Sequence, residues 1–162
     1  MSSADKSYTV KDFVEFLNED LAYEWAHLEF YLYHSAIVTG LHGLEVREFL
    51  TDAAKGELQH VQQFLDCILG LDPYYRPVYG ATVVSRVNQA AVTSSGTVLH
   101  AAIRMEKAVV DRYAARLEQL AYLNDDVASK YLTVFYEDQL KDSYEDVKRM
   151  QRLLQADVVF LA

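Results

Sequence analysis

The chain has 162 residues, 51% of them apolar, with 12 tyrosines, six glycines, two prolines and a formal charge of −9. That length suits a single domain, 1–162, with a core of its own, and so few helix breakers permit long uninterrupted helices. The acidic balance, without a Lys/Arg block to neutralise phosphates, excludes a nucleic-acid surface, and no run of about eighteen apolar residues is present to span a membrane.

The first residues, MSSADKSYTV, lack the basic and apolar regions of a signal peptide, and the lone Cys67 cannot make an internal disulfide. Both features predict a cytoplasmic protein. Thr9 with Asp12 three residues on resembles a helix N-terminal cap, and Gly40 supplies a stop, which predicts a first helix over about 10–38. Its apolar stripe is Phe13, Leu17, Leu21, Leu28, Tyr31 and Leu32. A second helix over about 43–71 carries Phe49, Leu50, Ala54, Val61, Phe64 and Ile68 on one face. The segment DPYYRPVYGATVVSRVNQAAVTSSGT then holds both prolines without a sustained helical period, as expected of a long connection along the outside of a bundle. Leu99, Ala102, Ile103, Val109, Val110 and Tyr113 mark a third helix over about 96–123. After a break at LNDD, a fourth over about 125–156 carries Val127, Tyr131, Leu132, Phe135, Tyr136, Val147, Met150 and Leu154. Asp125 and Asp126 suit its positive N-terminal end. The tail QADVVFLA is too short to predict a fifth helix. Two helical hairpins joined by one crossover describe an all-α four-helix bundle.

Three of these stripes contain a glutamate at their centre. Glu24 is flanked by Leu17, Leu21, Leu28 and Tyr31; Glu57 by Leu50, Ala54, Val61 and Phe64; Glu106 by Leu99, Ile103, Val110 and Tyr113. His60 follows Glu57 by one turn on the same side. A buried unpaired carboxylate costs several kcal/mol or takes up a proton, and three converging ones repel one another. One or two divalent cations resolve both difficulties, since carboxylate and imidazole are natural ligands for them. Glu24 and His27 form a second Glu-x-x-His pair, but His27 reads as a packed or helix-edge histidine, and His34, His42 and His100 as surface or packing residues. A competing reading pairs the buried glutamates with Arg104 or Arg112 in a bundle that binds no metal.

At these residues the sequence resembles the ferritin-like superfamily, bacterioferritins in particular. LNEDLAYEWAHLEFYLYH is similar to that family's first helix, with Glu24 at the ligand glutamate and Tyr31 at a tyrosine close to the metals. GELQH resembles the second-helix motif, giving Glu57 and His60, and RMEKA the third-helix ligand, giving Glu106. The likeness runs over roughly residues 10–155. It implies a ferritin-like bundle with a di-iron site that oxidises Fe(II) with O₂ for storage or detoxification, in a homo-oligomer that is a dimer or a cage. Manganese remains an alternative to iron, because both accept these ligands. Family members bind haem through a methionine just after the second-helix glutamate. Leu58 occupies that position, so no haem is expected.

The fourth helix departs from the family, which has a second Glu-x-x-His there. The 33-residue step from Glu24 to Glu57, repeated from Glu106, lands on Gln139 with Asp142 three further on. These two are the expected remaining ligands; a shifted register would use Glu137 instead and turn away from Leu132 and Phe135. A site so built is asymmetric, with its second metal position the weaker. Whether the chain is a ferroxidase-type oxidoreductase stays open at this level. A di-iron oxygenase or oxidase of an organic substrate, which requires an apolar channel to the site, and a non-enzymatic structural bundle are the alternatives.

Overall fold

The computed structural model describes residues 7–40, 42–78 and 94–160. Four long helices follow in order: α1 (Val10–Ile37), α2 (Gly43–Leu71), α3 (Ser95–Leu120) and α4 (Asp126–Phe160). The architecture is all-α, with α1 packed chiefly on α2 and α3 on α4 as two hairpins. The third helix stops at Leu120, a few residues before the sequence pattern suggests, and α4 continues through most of the tail. Residues 79–93, on which most of the expected external crossover falls, lie outside the described residues.

The ends are fixed by local chemistry. Thr9 and Asp12 form a reciprocal capping box at the start of α1, satisfying backbone donors that no helical carbonyl reaches. Gly40 turns the chain between α1 and α2 with φ 114°, a conformation that disfavours residues bearing a Cβ. The Asp125 carboxylate accepts from the N–H groups of Val127 and Ala128 and caps α4. Tyr8 pairs its backbone with Tyr122 and Asn124, tying the start of the chain to the α3–α4 turn.

The core is divided. One apolar cluster joins Phe13, Leu17, Leu21, Phe64, Ile68, Leu132 and Tyr136 towards one end of the bundle. Another joins Phe30, Tyr31, Leu50, Leu99, Ala102 and Met150 towards the other. Three residues assigned to the stripes by periodicity face outward: Leu32 is 54% exposed, Val127 80% and Tyr131 54%. Leu32 sits one residue past the fully buried Tyr31 and is rotated off the core-facing line, while Val127 lies on the first turn of α4, where little packs over it. Between the two apolar clusters lies a polar layer.

Candidate metal centre

That layer gathers Glu24 and His27 from α1, Glu57 and His60 from α2, and Glu106 from α3, all buried. They form two overlapping groups, Glu24–Glu57–His60 and His27–Glu57–Glu106. Within each, one ligand atom per residue lies within 4.8 Å of the others. His60 Nδ1 is 3.1 Å from Glu24 Oε2 and 3.5 Å from Glu57 Oε2. His27 Nδ1 is 3.3 Å from Glu106 Oε1 and 3.9 Å from Glu57 Oε1. Glu57 is thus common to both groups.

The sequence reading set His27 aside as a packing residue; the structure puts it at the heart of the cluster. It follows Glu24 by one turn, as His60 follows Glu57, so both histidines come from the first hairpin. The phase of α1 carries the signal: Asp20, Glu24, His27 and Tyr31 recur at steps of four, three and four, a polar line down one helix face. Gln139 and Asp142 stand differently. Gln139 is buried and donates through Nε2 to Gln63 Oε1 at 2.7 Å, while its own Oε1 has no hydrogen-bond partner. Asp142 is half-exposed, with Oδ2 3.7 Å from His60 Nε2. The α4 side chain that senses the second group is Asp146, whose carboxyl is pushed up by burial and by the Glu106 charge.

Two tyrosines fasten the carboxylates. Tyr31 donates its O–H to Glu106 Oε1 at 2.5 Å, and Tyr113 on α3 donates to Glu24 Oε1. Burial and the neighbouring glutamate charges push both phenols well up, so both remain donors. Burial acts to raise the Glu24 carboxyl too, but hydrogen bonds from His60 and Glu57 outweigh it and hold Glu24 at about 2. Glu57 goes the other way. Its burial and the charge of Glu24 push it well above the ordinary carboxylate range. For His60, burial disfavours the charge, yet hydrogen bonds to Glu24 and Glu57 raise it to about 11, and Glu106 similarly raises His27. All three shifts favour bound protons where a cation would otherwise balance the charge.

No Lys or Arg reaches the three glutamates among the described residues. Arg112 and Arg116 instead serve Asp20, which is fully buried. Asp20 accepts from Arg112 Nε, from Arg116 at 3.0 and 3.2 Å, and from the Tyr136 O–H at 2.7 Å. Glu19 accepts from both guanidiniums at the surface. Atoms of the cluster are left over: Glu57 Oε2, Glu106 Oε2 and His27 Nδ1 are buried without a properly formed hydrogen bond. Orphaned acceptors beside two imidazoles are what a divalent cation satisfies, so the donor set fits one.

A groove of about 530 Å³ follows the seam between α1 and α3, and His27 forms part of its lining. Leu58 is half-exposed on α2.

A ferritin-like domain family matches residues 14–156 of the chain. Among solved structures, a ferritin-like, diiron-carboxylate protein from Bacillus anthracis str. Ames is 28% identical, with a TM-score of 0.74 over 95% of this chain and 99% of that one. A dodecameric thioferritin, the bacterioferritin-related protein from Bacteroides fragilis, is 19% identical with a TM-score of 0.71, over 94% of this chain and 92% of that one. At that identity the likeness concerns the fold alone. The comparison with curated proteins gives no match.

Proposed function

The chain belongs to the ferritin-like family, and we propose that its buried cluster takes up two Fe(II) ions and presents them to O₂ for oxidation, in iron storage or detoxification. The observation that carries this reading is the pair of overlapping groups sharing Glu57, buried and without any Lys or Arg partner among the described residues. The diiron-carboxylate relative supports iron as the ion, with manganese the competitor for the same ligands.

Glu24 and His60 would hold one ion and His27 and Glu106 the other, with Glu57 common to both groups. The bound iron supplies the electrons that O₂ takes. The chain's own part is to release protons from Glu57 and the imidazoles as the ions enter, and to keep Glu24 and Glu106 oriented through Tyr113 and Tyr31. Tyr31 is the candidate catalytic side chain, as the phenol hydrogen-bonded to a ligand of the second ion. Gln139 and Asp142 stand on the α4 side of His60, where Asp142 hands ions inward from the surface and Gln139 stays outside the inner set. Assembly into a homo-oligomer, a dimer or a cage, is part of this reading.

Anaerobic loading with Fe(II), desalting and metal counting test the reading. Two ions per chain, lost in Glu57→Ala and followed by rapid oxidation on admission of O₂, is the expected result. No bound iron in either protein would overturn it.

A second reading, oxidation of an organic substrate at the same cluster, is favoured by one observation: the groove between α1 and α3 presents mainly apolar surface, from Tyr23, Met105, Ala108, Val109 and Ala115, and reaches His27. Substrate-dependent O₂ consumption separates it from the first.

A further inference from the structure

The groove on the α1–α3 seam exists because α3 presents Ala108 and Ala115, seven residues apart, where longer side chains would close it. Both alanines are exposed, so their small size is not a demand of the core. From Met105 to Arg116 the α3 wall is about 16 Å long at helical rise. Tyr23 on α1 forms the facing wall, Met105 and Val109 extend the apolar lining, and His27 lies where the groove meets the cluster. The volume, about 530 Å³, is that of a small-molecule site.

The charges restrict what fits. Arg112 and Arg116 line one end, but Glu19 and Asp20 already accept from both, and Asp111 adds a further negative charge. Each cationic group of the lining, His27 beside Glu106 included, therefore already faces a carboxylate, and an added anion gains little. A hydrated cation would lose its water against Met105, Ala108, Val109 and Ala115 with little in return. Arg112 lies over the Tyr23 ring at 4.3 Å. The polar side chain at the inner end of the lining is the buried His27, whose Nδ1 faces Glu106 Oε1 at 3.3 Å in the cluster.

We propose that the α1–α3 groove binds a small, neutral, mainly aromatic molecule bearing one hydroxyl or carbonyl group, directed with that group towards His27 and the cluster. This rests on the second reading above and names its substrate class. A bicyclic phenol meets the description: its ring stacks beside Tyr23, and its apolar edge covers Ala108 and Ala115.

The test uses 1-naphthol as probe, with the full chain free of metal, followed by calorimetry. One site per chain is expected, with 1-naphthoate bound at least about tenfold more weakly because its charge gains little there. Ala108→Phe fills the groove from an exposed position and should weaken naphthol about tenfold or more, while Ala114→Phe, exposed but outside the lining, should leave it unchanged. Equal binding of naphthoate, an unchanged Ala108→Phe, or no naphthol binding up to its solubility overturns the proposal. So does a smaller assembly of Ala108→Phe with naphthol binding retained, which would make the seam a contact between copies. A second arm adds Mn(II) and follows the proton linewidths of bound naphthol, since a paramagnetic ion broadens only nearby nuclei. Broadening supports the orientation towards the cluster. Bound Mn(II) without broadening refutes that orientation. Naphthol binding with no Mn(II) bound would sink the metal reading and leave the groove site standing.

Discussion

Asp20 offers the sharpest quantitative test, because it joins both hairpins from a fully buried position. Asp20→Asn keeps the shape and removes the charge that compensates Arg116, whose side chain is only 8% exposed. Breaking one partner of a buried ion pair costs about 3–5 kcal/mol, since the other charge stays behind in a poor solvent. Here the cost is moderated, because Glu19 continues to accept from both guanidiniums at 2.8 and 2.9 Å. The lower end, about 3 kcal/mol, is therefore expected, and for a chain of this size it lowers Tm by roughly 6–12 °C. Calorimetric or circular-dichroism melts of the metal-free protein measure it. A double-mutant cycle with Arg116→Met isolates the pair, and the double variant should lose much less than the two single losses added together. A Tm within about 2 °C of wild type for Asp20→Asn would refute the reasoning, since it would mean less than about 1 kcal/mol at stake.

His27→Ala should reduce bound Fe(II) from two ions per chain to one, because the second position would keep only Glu106 and its share of Glu57; two ions retained would remove His27 from the ligand set. In the metal-free protein His60 holds its proton up to about 11, whereas an unfolded histidine loses it near 6.5. The raised group stabilises the fold fully below pH 6.5 and loses that contribution as pH rises towards its folded value, and the raised His27 and Glu57 act in the same direction, so stability should decline above pH 6.5. Glu24, depressed to about 2, acts at the other side, with stability present above its unfolded value and lost as pH falls through 2. Melts from pH 6 to 9 should therefore show a declining Tm without metal and a flat one with it, and a flat metal-free profile would contradict the protonation pattern. Tyr31→Phe should leave two Fe(II) bound while slowing their oxidation, as followed by stopped-flow absorbance; an unaltered rate would make Tyr31 a packing residue.

The helices were legible because so little interrupts them. Both prolines fall between the periodic stretches, only one glycine, Gly56, sits deep inside a helix, and each stripe repeats at three and four. The buried glutamates were legible for a different reason: a carboxylate in mid-stripe is costly, and its recurrence on three helices makes a chance placement a poor explanation. Single residues were harder. His27 looks like any helix-edge histidine until α2 and α3 are packed against it, since nothing local says that Glu106 will arrive within 3.3 Å. Asp20 was likewise invisible, because its partners Arg112, Arg116 and Tyr136 lie more than ninety residues away. The step of 33 residues finds a buried position on α4 at Gln139, but a register specifies burial and not chemistry. Gln139 donates its amide N–H to Gln63 and leaves its own Oε1 without a hydrogen bond.

The distribution of the cluster over the helices has a mechanical consequence. Glu24, His27, Glu57 and His60 all belong to one hairpin, whose helices pack closely along their length. Glu106 alone comes from the other. The Glu24–His60 contact is therefore set within one packed pair, while the His27–Glu106 contact spans the seam between pairs. Along that seam α1 and α3 are separated by the groove and joined by the Asp20, Arg112 and Arg116 latch, with Tyr113 reaching across to Glu24. Loosening the latch should disturb the His27–Glu106 contact before the Glu24–His60 contact. The seam is thus a source of asymmetry between the two groups beside the one anticipated from Gln139 and Asp142 on α4.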